Sequence, residues 1–177
     1  MRMLLQRGAT VIHIPCDDEG LLTERLEEEI QKLISEGIQP KAIYTISGYQ
    51  NPTGVTLSMR RRVHLLELAH RYGVPIIENE SYSNFLIDGN PLPPSMYGMD
   101  DQDSVIYISA FTKLLGCGLR LGYGVVPDSV KNILAESSFG GSPSQLSSMM
   151  AYEYLKDNME THIQNVRSSL KAKRDAM

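Results

Sequence analysis

The alternation of two hydrophobic periods along this chain limits its fold more than any other feature. Short apolar runs rich in β-branched residues recur between stretches of helical period, the pattern of an α/β domain with a mostly parallel sheet and flanking helices. Ala9 to Pro15, Lys41 to Ile46, Val74 to Glu78, Ser104 to Ser109 and Leu121 to Val126 read as strands. Thr23 is placed to cap a helix on which Leu26, Ile30, Leu33 and Ile34 recur, and Gly37 with Pro40 closes it. Ser58 is placed to cap a second helix, with Met59, Val63, Leu66 and Ala69 sharing a face and Gly73 at its end. The run Arg60-Arg61-Arg62 reads as a solvated face of that helix.

Everything up to Val126 therefore predicts one sheet with its helices. Beyond it the sequence predicts helices from Asp128 to Ser137 and from Ser144 to Lys156, parted by Gly140-Gly141-Ser142-Pro143. Asp157 followed by Glu160 predicts a fresh helix start, and Met159, Ile163, Val166 and Leu170 make an apolar stripe that needs cover. The abrupt beginning and end point to a longer architecture, or to a second chain that completes this one.

Composition excludes several classes of partner. The net charge of −4 is spread through mixed acidic and basic residues, so no broad positive surface is expected for nucleic acid. No apolar stretch reaches the roughly 18 residues a membrane helix needs, and the opening residues are broken by charge too early for a signal peptide. Cys16 and Cys117 lie far apart without CxxC pairing, which fits a reducing, cytoplasmic setting. His13, His64, His70 and His162 are scattered without metal-ligand spacing, so no metal site is expected.

Residues able to do chemistry gather in three stretches, each after a predicted strand, where parallel α/β sheets collect their ligand-binding loops. They are Gly48-Tyr49-Gln50-Asn51-Pro52-Thr53-Gly54, then Glu78-Asn79-Glu80-Ser81-Tyr82, then Ser109 to Lys113 with Gly118-Leu119-Arg120-Leu121-Gly122. A lysine that is partly dry and near cations has a lowered pKa, and its neutral amine condenses with an aldehyde; Lys113 is the candidate. Arg120, between tight-turn glycines, can grip a phosphate bidentately.

These motifs resemble the large domain of the fold type I pyridoxal-phosphate (PLP) enzymes, specifically the class I/II aminotransferases of the aminoadipate and kynurenine branch, and the aminotransferase-like domain of MocR regulators. Asn51 to Gly54 matches the Asn-Pro-Thr-Gly box without change, and Ala110 to Lys113 with Gly118 to Tyr123 matches the lysine box closely. The resemblance implies that Lys113 carries PLP as a Schiff base and shuttles the substrate's α-proton. It implies that Asn51 and Tyr82 hydrogen-bond the ring's phenolic oxygen, that Asn79 faces the ring nitrogen, and that Thr112 and Arg120 hold the phosphate. The implied reaction moves an amino group from an amino acid to a 2-oxo acid, in a homodimer when full length. Residues 1–156 would be a partial PLP-binding large domain, and 157–177 the start of a long helix toward a small domain.

Two positions depart from the family pattern. Asn79 stands where an aspartate normally keeps the pyridine nitrogen protonated, and a neutral amide weakens that electron sink. Glu78 and Glu80 flank it, but pleating points them to the other face. Ala110 stands where the family commonly has a phosphate-binding serine, and whether neighbouring Ser109 compensates is left open by the sequence. These departures also suit a rival reading, a PLP-binding remnant or the effector-sensing module of a regulator. A plain nucleotide-binding domain is disfavoured because no GxGxxG or GxxxxGK[ST] loop is present.

Overall fold

The computed structural model describes residues 2–137 and 142–177. A short helix, α1 (Arg2–Gln6), is followed by a two-rung hairpin of β1 (Cys16–Asp17) and β2 (Gly20–Leu21). Then α2 (Thr23–Ser35) leads to β3 (Ile43–Ile46), α3 (Met59–Tyr72), β4 (Ile76–Asn79), the short α4 (Met96–Met99) and β5 (Val105–Ala110). A 3-10 turn at Cys117–Leu119 precedes β6 (Gly122–Val125), after which come α5 (Asp128–Ser137) and α6 (Gln145–Asp175).

Strands β3, β4 and β5 run parallel in that order, and β6 returns antiparallel beside β5, so the sheet is mixed. The register sets Ile46 opposite Asn79 and Asn79 opposite Ile108, which brings the three chemistry-bearing loops to one edge of the sheet. Gly122 lets the strands approach closely where β6 begins: a Cβ there would lie 3.1 Å from the Ser109 carbonyl oxygen, a tight contact that a larger residue would relieve only by a small shift of the strands.

Helix α3 supplies most of the cover for one sheet face. Ser58 caps it by accepting from the Arg61 N–H, and Gly73, at φ 62°, ends it in the left-handed region. Leu65, Leu68 and Ala69 meet Ile43, Val74, Ile76 and Val105 in the core, with Leu26 and Ile30 of α2 behind them. The inward face differs from the expected one. Met59 and Val63 are exposed, whereas Arg61 and Arg62 are buried at 3% and 0% exposure. Arg61 reaches Asp17 through both terminal nitrogens, one of them at 2.6 Å, and donates to the Gly20 carbonyl at 2.8 Å, pinning the hairpin to the helix. That guanidinium holds the Asp17 carboxyl down at about 2. A long cationic side chain leaves solvent when carboxylates and open carbonyls await it, which a run of like charges does not announce.

Other expectations also change. Ala9 to Pro15 forms no strand and pairs with none among the described residues; of its side chains, Ile14 packs on the core. A β-branched apolar run marks a segment able to pair, but a strand needs a partner edge. Leu22, not Thr23, is the N-cap of α2, while the Thr23 hydroxyl is 2.8 Å from His64 Nδ1. Helix α6 is capped by Ser144 and continuous to Asp175, so Asp157 and Glu160 start nothing. With no Gly or Pro between them and Gln145, the preceding turns already occupy their backbone N–H groups. The expected break at Gly140-Gly141 lies outside the described residues.

Candidate functional site

The loop after β3 folds on itself around Gln50. Its N–H donates to Val55 O (2.8 Å), its carbonyl accepts from Gly54 N (2.6 Å), and its side-chain oxygen accepts from Thr53 N (3.2 Å). Gly54 sits at φ 75°, a turn position that favours glycine, and the Asn51–Pro52 peptide is cis. Asn51 is thereby presented at the tip, and its Nδ2 donates to the Tyr82 hydroxyl at 3.1 Å. Tyr82 comes from a turn after β4 that is closed by Phe85 N to Tyr82 O (3.0 Å). Lys113, in a turn after β5 closed by Leu115 N to Phe111 O (2.8 Å), places Nζ 5.9 Å from the centre of the Tyr82 ring. Three separate strand-end loops thus converge on one point.

Asn79 is the last residue of β4, and its amide is fixed on both sides. Nδ2 donates to the Tyr44 hydroxyl at 2.9 Å, while Oδ1 accepts from Ser81 N at 3.1 Å and Ser81 Oγ at 2.7 Å. Thr112 neighbours Lys113 in the chain. Arg120 is exposed, has no ion-pair partner among the described residues, and adopts φ 53°, a left-handed conformation costly for a side-chain-bearing residue. Tyr49, at φ 49°, shows the same strain in the first loop. Such outliers concentrate where a ligand dictates the backbone.

Ser109 does not substitute for Ala110. Its hydroxyl donates to the Glu80 carbonyl at 3.3 Å, and it lies on the sheet face opposite Asn79. Lys113 is exposed, so the dryness expected for its amine is not supplied by the described residues.

Several residues that shape the site were not singled out from sequence. Helix α6 braces two of the loops: His162 Nε2 donates to Leu114 O and Arg167 Nε to Asn84 O, both at 2.8 Å. Tyr44 and Ser81 orient Asn79. Arg62 and Ser47 lie beneath β4 against Glu78 and Glu80. One signal did exist for the last group: two acids on the buried face of a strand demand a nearby cation, and Arg60 to Arg62 is the basic run on the helix that precedes that strand.

Comparison with known proteins identifies the family. The family model described as aminotransferase class I and II matches residues 2–177. The aromatic-amino-acid aminotransferase 1 of Thermococcus litoralis is 36% identical over 169 residues, covering 94% of this chain but 40% of that protein. The uncharacterized HTH-type transcriptional regulator YisV of Bacillus subtilis is 32% identical, covering 96% of this chain and 34% of its own length. Among solved structures, the multiple substrate aminotransferase of Thermococcus profundus superimposes with a TM-score of 0.84 at 36% identity, over 93% of this chain and 41% of that one. The strand order, the convergent loops and these matches together make the chain a member of the class I and II aminotransferases, with part of the fold type I architecture.

Proposed function

We propose that this chain forms the cofactor-holding part of a PLP-dependent aminotransferase that moves an amino group from an amino acid to a 2-oxo acid. The observation that carries the reading is the meeting of Asn51, Tyr82 and Lys113 from three different loops, 3.1 Å and 5.9 Å apart as described. Their chemistry suits the cofactor: an amine for its aldehyde, and an amide and a phenol for its ring hydroxyl. Lys113 would tether the cofactor and carry the substrate's α-proton. Asn51 and Tyr82 would orient the ring, Asn79 would face its nitrogen, and Thr112 with the exposed Arg120 would take the phosphate. Bound there, the cofactor supplies the electron sink.

The chain spans about two fifths of its relatives' length, and the active form is proposed as full length and, by the family resemblance, a homodimer. Residues 1–156 would belong to the large domain and 157–177 to a helix reaching toward a small one. No helix among the described residues is long and apolar enough to cross a membrane, and the free cysteines Cys16 and Cys117 fit the proposed cytoplasmic setting.

The test is PLP titration of the purified protein, followed by addition of an amino acid. A visible absorbance change on binding, then conversion to the amine form with release of a 2-oxo acid, is the expected result. Binding without oxo-acid release would favour the second reading, an effector-sensing module, which Asn79 and the regulator relatives support. No bound PLP would overturn both.

Asn79→Asp probes the ring-nitrogen contact. Ser81 already aims two donors at the side-chain oxygen, and the Tyr44 hydroxyl can turn to donate, so a carboxylate fits. Adding a charge-assisted bond to a protonated ring nitrogen, worth about 1.5 kcal/mol, should tighten PLP retention roughly tenfold in equilibrium dialysis. Equal or weaker retention would remove Asn79 from the ring.

A further inference from the structure

Beneath Asn79, on the covered face of β4, lies an ionisable group that the proposed chemistry does not use. The side chains of Glu78 and Glu80 are 0% and 5% exposed, and one guanidinium, Arg62, itself 0% exposed, reaches both at 3.4 Å. Two carboxylates against one cation leave a negative charge over, and an uncompensated buried carboxylate is driven to take up a proton. The Ser47 hydroxyl identifies where. Its oxygen is 2.8 Å from Glu78 Oε1 and also in hydrogen-bond contact with Glu80 Oε1. A hydroxyl has one hydrogen, so it donates to one carboxyl and must accept from the other.

The remaining donors decide between them. Glu78 accepts from Met96 N (2.9 Å), Tyr97 N (3.0 Å) and Arg62 as well as Ser47, the surroundings of a carboxylate. Among the described residues, the Glu80 carboxyl accepts from Arg62 and meets Ser47, with no backbone N–H directed at it. We propose that Glu80 is a neutral carboxylic acid in the folded protein, donating to Ser47, which donates to Glu78, so that one proton ties the ends of β3 and β4 together.

The other groups facing this cluster agree. Burial raises the Glu80 carboxyl, an effect that Ser47 and Arg62 only partly offset and that Glu78 reinforces. Tyr107 of β5 is raised by burial, then by Tyr123 and, more weakly, by both acids. Tyr49, in the loop after β3, is raised by burial; Arg167 of α6 lowers it and Glu80 raises it slightly. Arg62 is the cation in contact with the acids.

A raised folded pKa gives stability that is complete below the ordinary glutamate range and is lost as pH climbs through the raised value. The tie therefore weakens with rising pH. Glu80→Gln keeps a donor for Ser47 and stays neutral, so its thermal midpoint at pH 8 should equal or exceed wild type by about 2–4 °C, with a shallower pH slope. Met96 N and Tyr97 N donate to different oxygens of Glu78, so Glu78→Gln turns its amide N–H2 toward one of these two N–H groups and should melt lower at every pH. The reverse order, or equal losses in both variants, would overturn the proposal. Infrared spectroscopy of wild type with labelled glutamate gives a second measure. An un-ionised carboxyl band at pH 7, absent from Glu80→Gln, is expected, and its absence from wild type would overturn the proposal even if a variant failed to fold. Neither measurement uses PLP, so a failed cofactor titration and a failed proton assignment are separable.

Discussion

Replacing Arg62 by leucine is expected to destabilise the fold by about 3–5 kcal/mol, the loss typical of removing one partner from a buried ion pair. Leucine fills part of the volume but answers none of the polar atoms. Arg62 donates to the carbonyls of Leu57 (3.1 Å), Pro94 (3.1 Å) and Ser47 (2.8 Å) as well as to both acids. Without it, three backbone acceptors and a buried carboxylate are left uncompensated together. Urea denaturation followed by circular dichroism measures the loss. Arg62→Lys should recover part of it, because it keeps the charge but not the fork that reaches several partners at once. Adding Glu78→Gln to Arg62→Leu should cost less than the sum of the two single changes, since they remove the same interaction. A leucine variant within about 1 kcal/mol of wild type would contradict the burial described for this cluster, because changes at sites without such features usually stay within roughly 0.5 kcal/mol.

The second large effect belongs to chemistry instead of stability. Lys113→Ala should remove covalent PLP attachment and slow the amino-acid half-reaction by at least about 10²-fold, the usual contribution of a positioned proton carrier. Folding should be unaffected. The side chain is exposed and its one described contact is with the Tyr82 ring, so stability is expected to change by less than roughly 0.5 kcal/mol. Stopped-flow absorbance of the reconstituted protein separates the tether from the rate, and a denaturation curve run alongside checks the fold. A half-reaction within about tenfold of wild type would dismiss Lys113 as the proton carrier and with it the assignment of the three loops.

Much of the site was legible in the linear chain because its parts are local. The Asn51 loop and the Lys113 turn each combine punctuation by Pro or Gly with a preceding apolar run, so their places at strand ends follow from neighbours in sequence. Caps behave alike: Ser58 and Gly73 bound α3 as expected, since each acts within one helical turn. Pleating also predicted that Glu78 and Glu80 turn away from Asn79, as they do. Errors arose where the outcome depended on distant partners. Ala9 to Pro15 has the β-branched apolar composition of a strand without an edge to join, and Asp157 carries a helix-start signal inside a helix already propagating from Ser144.

The chain's sequence thus determined which segments become strands and helices over most of its length, and which short loops carry amine, amide and phenol, because hydrophobic period and turn chemistry act over a few residues. Only the tertiary structure decided that Arg61 and Arg62 face inward, that Ser47 bridges two acids, that Tyr44 and Ser81 orient Asn79, and that α6 braces the loops. Those arrangements join residues far apart in the chain. Their energies come from desolvating charge and satisfying buried polar atoms, which depend on who the neighbours are after folding.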